Sequence, residues 1–117
     1  MAHILIAEDD ESMRKFISMA LENAGHKTTL CADGMEAFRK LESDAHYDIL
    51  LADIVMPGMD GIELSKKAHT LSPNIKTMFI TGFAAIAQGK TEENDRVLSK
   101  PFHLNDLVNR IEDILAA

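Results

Sequence analysis

Short apolar runs alternate with stretches of helical periodicity along all 117 residues of this chain, and that alternation limits the folds open to it. HILIA (3–7) reads as a buried strand. Met13, Phe16, Ile17, Ala20, Leu21 and Ala24 then recur at helical spacing, with Gly25 placed as a C-terminal stop. KTTLC (27–31) is a more polar strand. Asp33 caps the next helix with Glu36 three residues on, and Ala37, Phe38 and Leu41 form its inner stripe. DILLA (48–52) is a third strand, apolar throughout as a strand covered on both faces should be. After the Pro57-Gly58 turn, Asp60 caps a helix carrying Leu64, Ala68 and Leu71, with Pro73 beyond its end. KTMFI (76–80) and RVLS (96–99) supply strands four and five, and Leu104, Leu107, Val108, Ile111 and Leu115 line a last helix.

Five short strands separated by helices predict an α/β fold, a doubly wound five-stranded parallel sheet with right-handed crossovers. The second and fifth strands are the most polar and are therefore expected at the edges, which selects the order 2-1-3-4-5. Between Thr81 and Val97 a full amphipathic helix does not fit, so a short helix over 83–88 and then an exposed loop are expected. The helix between strands four and five should thus be shortened or degenerate. The length suits one compact domain over 1–117, with no second module.

Twelve Lys and Arg against nineteen Asp and Glu give a net charge of −7 with no basic block, which argues against nucleic-acid or anionic-membrane binding. The single cysteine, Cys31, excludes a disulfide framework and a thiolate metal site and reads as a small core residue. The short apolar run in MAHILIAEDD turns acidic too soon for a signal peptide or a spanning helix, so a cytoplasmic chain is expected.

Ligands of such sheets sit at the carboxyl ends of the strands. Those ends carry Glu8 and Asp9 after strand one, Asp53 after strand three, Thr81 after strand four and Lys100 after strand five. Three converging carboxylates repel one another unless a cation and an ammonium offset them. Oxygen ligands without His or Cys suit Mg²⁺. Asp53, nearest the middle of the sheet, is the candidate nucleophile, able to attack a phosphoryl group and form an acyl phosphate. Each residue taken singly also fits a plainer role: Asp10 reads better as a helix cap, Thr81 as a strand end and Lys100 as a solvated cation. Their joint placement at one sheet edge favours the chemical reading.

At this point ILIAEDD, LLADIVMPGMDG, FITG and SKPF, in that order and at their spacing, resemble the receiver domain of two-component response regulators, the CheY-like fold, from Ile4 to Leu115. The resemblance implies phosphorylation of Asp53 by a histidine kinase or histidine phosphotransferase. It implies Mg²⁺ held by Glu8, Asp9, Asp53 and the backbone carbonyl of Val55, with Lys100 pairing the phosphoryl oxygens and Thr81 turning to hydrogen-bond them. It also implies a protein that is not itself an enzyme beyond slow self-dephosphorylation. The stretches DIVMPGMDGIEL, FITGFAA and VLSKPFHL and the Ala-Ala end further resemble the CpdR family of stand-alone receivers in alphaproteobacteria. That family is associated with substrate delivery to the ClpXP protease in the cell cycle, its unphosphorylated form being the active adaptor. By the same likeness Ala116 and Ala117 are expected to form a degradation tail.

The Lys100–Pro101 bond is expected to be cis, because a tight turn must aim the lysine back at the pocket. Two departures from the receiver pattern stand out. Val97 occupies the place, three residues before the lysine, where most receivers carry the Tyr or Phe whose rotation reports phosphorylation. The 81–97 interval also lacks much of the helix that often forms the output face. Three other functions share parts of the pattern. A haloacid-dehalogenase-like phosphatase wants a second acid where Val55 stands, and a flavodoxin-like carrier wants a phosphate loop where EDDESM is acidic. A receiver acting only as a phosphate sink or shuttle is the third.

Overall fold

The computed structural model describes residues 1–43, 46–82 and 96–117. Five parallel strands, β1 (His3–Ala7), β2 (Lys27–Cys31), β3 (Ile49–Asp53), β4 (Lys76–Thr81) and β5 (Arg96–Ser99), form one sheet in the order β2-β1-β3-β4-β5. The described helices are α1 (Glu11–Asn23), α2 (Gly34–Glu42), α3 (Gly61–Leu71) and α4 (Leu104–Ala116). The expected short helix over 83–88, the loop after it and the shortened helix between β4 and β5 fall outside the described residues. No helix among the described residues is long and apolar enough to cross a membrane.

Strand side chains alternate between the two faces, and each face meets its own pair of helices. Leu5, Leu50, Ala52 and Phe79 pack with Ala37 and Leu41 of α2 and with Leu64 and Ala68 of α3. Ile4, Ile6, Leu51, Met78 and Ile80 face the opposite way, onto Ile17 and Leu21 of α1 and Leu107, Ile111 and Ile114 of α4. Phe38 is only partly buried, and the Lys67 ammonium lies 5.3 Å from its ring centroid.

The helix starts are built as their sequences require. Asp10, Asp33 and Asp60 accept from the backbone N–H of Met13, Glu36 and Glu63 at 3.1, 2.8 and 2.8 Å. Glu36 reaches back to the Ala32 N–H at 3.2 Å, one residue before the cap. Gly25 follows α1 with φ of 97°, the left-handed stop that glycine adopts without strain.

Three inward assignments are corrected. Phe16 is 56% exposed and Leu71 47% exposed, and Ala24 is exposed as well. Phe16 and Ala24 line an open groove between α1 and the start of α4, with Leu104 and Val108 on its other side. On α4 the inward stripe runs through Leu107, Ile111 and Ile114, while Leu104 sits at the rim, 36% exposed. The third strand begins at Ile49 rather than Asp48, whose carboxylate instead accepts the His3 N–H at 2.8 Å. That one-residue shift puts Asp53 inside β3, opposite Ile80 of β4.

The start of α3 closes tightly on this strand. A Cβ at Gly61 would overlap the Asp53 carbonyl, and the Gly61 N–H donates to the Ile54 carbonyl at 2.9 Å. Gly61→Ala should therefore cost about 1–3 kcal/mol of stability through overpacking, read as a lower denaturant midpoint at unchanged slope. An unchanged midpoint would show that the helix start can move away from Asp53 freely.

Candidate functional site

The parallel topology brings every strand's carboxyl end to one edge of the sheet, and there the site assembles. Glu8 and Asp9 leave β1, Asp53 ends β3, Thr81 ends β4, and Lys100 follows β5. Each of Glu8, Asp9 and Asp53 offers an oxygen, and these atoms all lie within 4.8 Å of one another. Lys100 Nζ bridges two of them, 2.6 Å from Asp53 Oδ2 and 3.3 Å from Glu8 Oε2. The lysine is aimed by its backbone: its N–H donates to the Thr81 carbonyl at 2.8 Å, and the peptide to Pro101 is cis.

The two acids of the β1 end differ in environment. Glu8 is fully buried, whereas Asp9 is exposed. Glu8 Oε1 accepts the Asp10 N–H at 3.1 Å, and its backbone N–H donates to the Cys31 carbonyl at 3.1 Å. Burial pushes the Glu8 carboxyl up to about 7; the Asp10 N–H resists this, the Asp53 carboxylate reinforces it, and the Lys100 ammonium resists it. For Lys100, burial works against the ammonium, but the hydrogen bond and charge of Asp53 and then those of Glu8 outweigh it and raise its pKa. Asp53 Oδ1 accepts the Val55 N–H at 3.1 Å, so the loop after β3 folds back on the carboxylate. Thr81 is buried at the neighbouring strand end.

The donor set fits a small, hard divalent cation. Three carboxylates crowd one spot without a nitrogen or sulfur ligand, and a single ammonium does not neutralise them. Cys31 has no part in it, since burial pushes its thiol up to about 12.

Two residues that the strand-end reasoning passed over touch this system or its frame. Arg14 of α1 donates from Nη1 to the Glu8 carbonyl at 2.8 Å. Its signal in the sequence is slight, a basic residue in the first turns of a helix that opens with acids. Lys76 opens β4 and donates from Nζ to the Ile114 and Ala117 carbonyls at 2.8 and 3.0 Å, so Ala116 and Ala117 sit at the end of α4 on the far side from the acids.

Residues 4–112 match the response regulator receiver domain family. The chain belongs to that family. This receiver is 51% identical over 120 residues to the response regulator receiver protein CpdR of Brucella abortus, across 100% of this chain and 99% of that protein. A response regulator receiver protein from Sinorhizobium medicae has a solved structure similar to it at a TM-score of 0.93 and 27% identity, covering 99% of this chain and 95% of that one. The solved receiver domain of the hybrid histidine kinase CckA reaches 0.85 at 32% identity, covering 97% and 98%. Receivers are signalling modules that take phosphate from histidine kinases or phosphotransferases and bind Mg²⁺ at such an acidic pocket.

The buried Glu8 makes a pH-dependent prediction. Its folded pKa of about 7 exceeds the ordinary 4.5, so its contribution favours the fold fully below pH 4.5 and is lost as pH rises through 7. Without divalent cations, Glu8→Gln should therefore stabilise the protein at pH 8 and leave it nearly unchanged at pH 4. Solvent screening at the open side reduces the gain to about 1–2 kcal/mol. Thermal melts at both pH values check this, and a variant less stable at pH 8 would contradict it.

Proposed function

We propose that this receiver is phosphorylated on Asp53 and signals by contact with another protein. The observation that carries the reading is the Lys100 ammonium, 2.6 Å from an Asp53 carboxylate that ends a central strand beside two further acids. In this reading Glu8, Asp9, Asp53 and the backbone carbonyl of Val55 hold Mg²⁺, which when bound supplies positive charge to the transferring phosphoryl oxygens. An Asp53 oxygen attacks the phosphorus of a phosphohistidine. The P–N bond breaks, the imidazole nitrogen keeps its electron pair, and Asp53 becomes an acyl phosphate. Lys100 then exchanges its Asp53 contact for a phosphoryl oxygen, and the Thr81 hydroxyl hydrogen-bonds another.

Incubation with acetyl phosphate and Mg²⁺ should add one phosphoryl group, seen by intact-mass measurement and absent in Asp53→Asn. Label of equal stoichiometry on that variant would reject the assignment. The acyl phosphate should also be long-lived. Val55, 51% exposed in the loop after Asp53, offers no side-chain polar group to orient an attacking water. Placing polar groups there and at Phe83, which lies outside the described residues, with Val55→Asn/Phe83→Glu should speed decay by about tenfold, which needs only ~1.4 kcal/mol of barrier. Equal decay rates would rule out this control by the side chain.

The upstream donor in this reading is a histidine kinase or histidine phosphotransferase. The downstream role is that of a stand-alone CpdR-like regulator of ClpXP-dependent proteolysis in the cell cycle, with the unphosphorylated form active. Identity of 51% over 99% of the Brucella CpdR supports that assignment. Ala116 and Ala117 would serve as a degradation tail. Capture of ClpX by Asp53→Ala but not by the phosphorylated wild type tests the adaptor role. Equal capture by both would reject the phosphorylation switch.

A further inference from the structure

Asp9 presents a problem of support. It is the exposed member of the acidic cluster, yet its oxygen lies within 4.8 Å of those of Glu8 and Asp53. An exposed side chain is held in such a place by its backbone, so the two peptide planes flanking Asp9 decide where its carboxylate points. The plane after it is fixed from inside the site, where the Asp10 N–H donates to Glu8 Oε1 at 3.1 Å. The plane before it is fixed from outside, where the Glu8 carbonyl accepts from Arg14 Nη1 at 2.8 Å. Arg14 is half-buried and lies on the β2 side of the turn, where its charge also acts on the Cys31 thiol.

We propose that Arg14 is a positioning residue for the divalent cation: its grip on the Glu8 carbonyl fixes the Glu8–Asp9 peptide and so holds the Asp9 carboxylate in the cluster. This rests on the reading that Glu8, Asp9 and Asp53 bind Mg²⁺. Geometry and charge act in opposite directions at this residue, which makes the role testable. A guanidinium beside the turn repels a cation, so if only its charge mattered, its removal would tighten Mg²⁺ binding. If its hydrogen bond orients the ligands, removal weakens binding, as loss of groups that orient metal ligands does by about 10- to 100-fold.

The experiment is calorimetric titration of the metal-free full chain with MgCl₂, for wild type, Arg14→Met, Arg14→Lys and Lys15→Met. Lys15 is the neighbouring cation, ion-paired with Glu11 at 3.0 Å on the exposed surface, and it controls for charge alone. The expected result is a Kd raised about tenfold or more in Arg14→Met, largely restored in Arg14→Lys, with Lys15→Met equal to or tighter than wild type. The metal-free melting temperature of Arg14→Lys should match wild type. Binding by Arg14→Met as tight as wild type or tighter overturns the proposal and leaves the Mg²⁺ reading standing. So does a weakening that only follows a loss of metal-free stability across the variants. A wild type that binds no Mg²⁺ overturns the reading itself, and the positioning role with it.

Discussion

The Lys100 ammonium, shared between Asp53 and Glu8, is the contact on which the rest of the site depends. Without it, the Glu8, Asp9 and Asp53 carboxylates would face one another within 4.8 Å with no cation between them. With it, one positive charge joins two of the three carboxylates, yet burial, reinforced by the Asp53 carboxylate, still raises the pKa of Glu8. A site left short of positive charge is one that a divalent cation completes. The lysine therefore organises the acids without satisfying them.

The fold delivers these groups through backbone contacts at the strand ends. The Thr81 carbonyl accepts the Lys100 N–H, and the Ile54 carbonyl just past Asp53 accepts the Gly61 N–H. Helix α3 begins so close to β3 that only glycine fits against the Asp53 carbonyl. The sheet is buried on both faces, so the strand ends that carry Asp53 and Thr81 have a rigid base. Val97 packs partly buried against the α2–α3 side of the core in place of the usual aromatic. A signal from the site must therefore leave by some route other than rotation of a ring at that position.

Much of this was legible because parallel sheets impose strong patterns. Apolar runs located five strands, the polarity of KTTLC and RVLS placed the edges, and three aspartates marked helix starts. Asp53, Thr81 and Lys100 stood out because they sit at the carboxyl ends of strands, where a sheet of this kind gathers its ligands. What stayed hidden depends on neighbours distant in sequence. Phe16 is exposed because it borders the groove between α1 and α4, which periodicity along one helix does not report. Glu8 and Asp9 look alike in EDD, yet one is buried beneath the turn and the other faces solvent. Arg14 reads as an ordinary surface cation until the first turns of α1 fold back over the Glu8 carbonyl.

In the proposed function, Asp53, Lys100 and a divalent cation form one phosphoryl-accepting unit. Beryllofluoride tests it most directly, since it mimics a phosphoryl group on an aspartate without needing a donor protein. Fluorine NMR of the protein with Mg²⁺ and beryllofluoride should show slowly exchanging bound resonances that vanish on chelation of the metal and in Asp53→Asn. Bound resonances that survive in Asp53→Asn, or a wild type that shows none with Mg²⁺ present, would contradict the account.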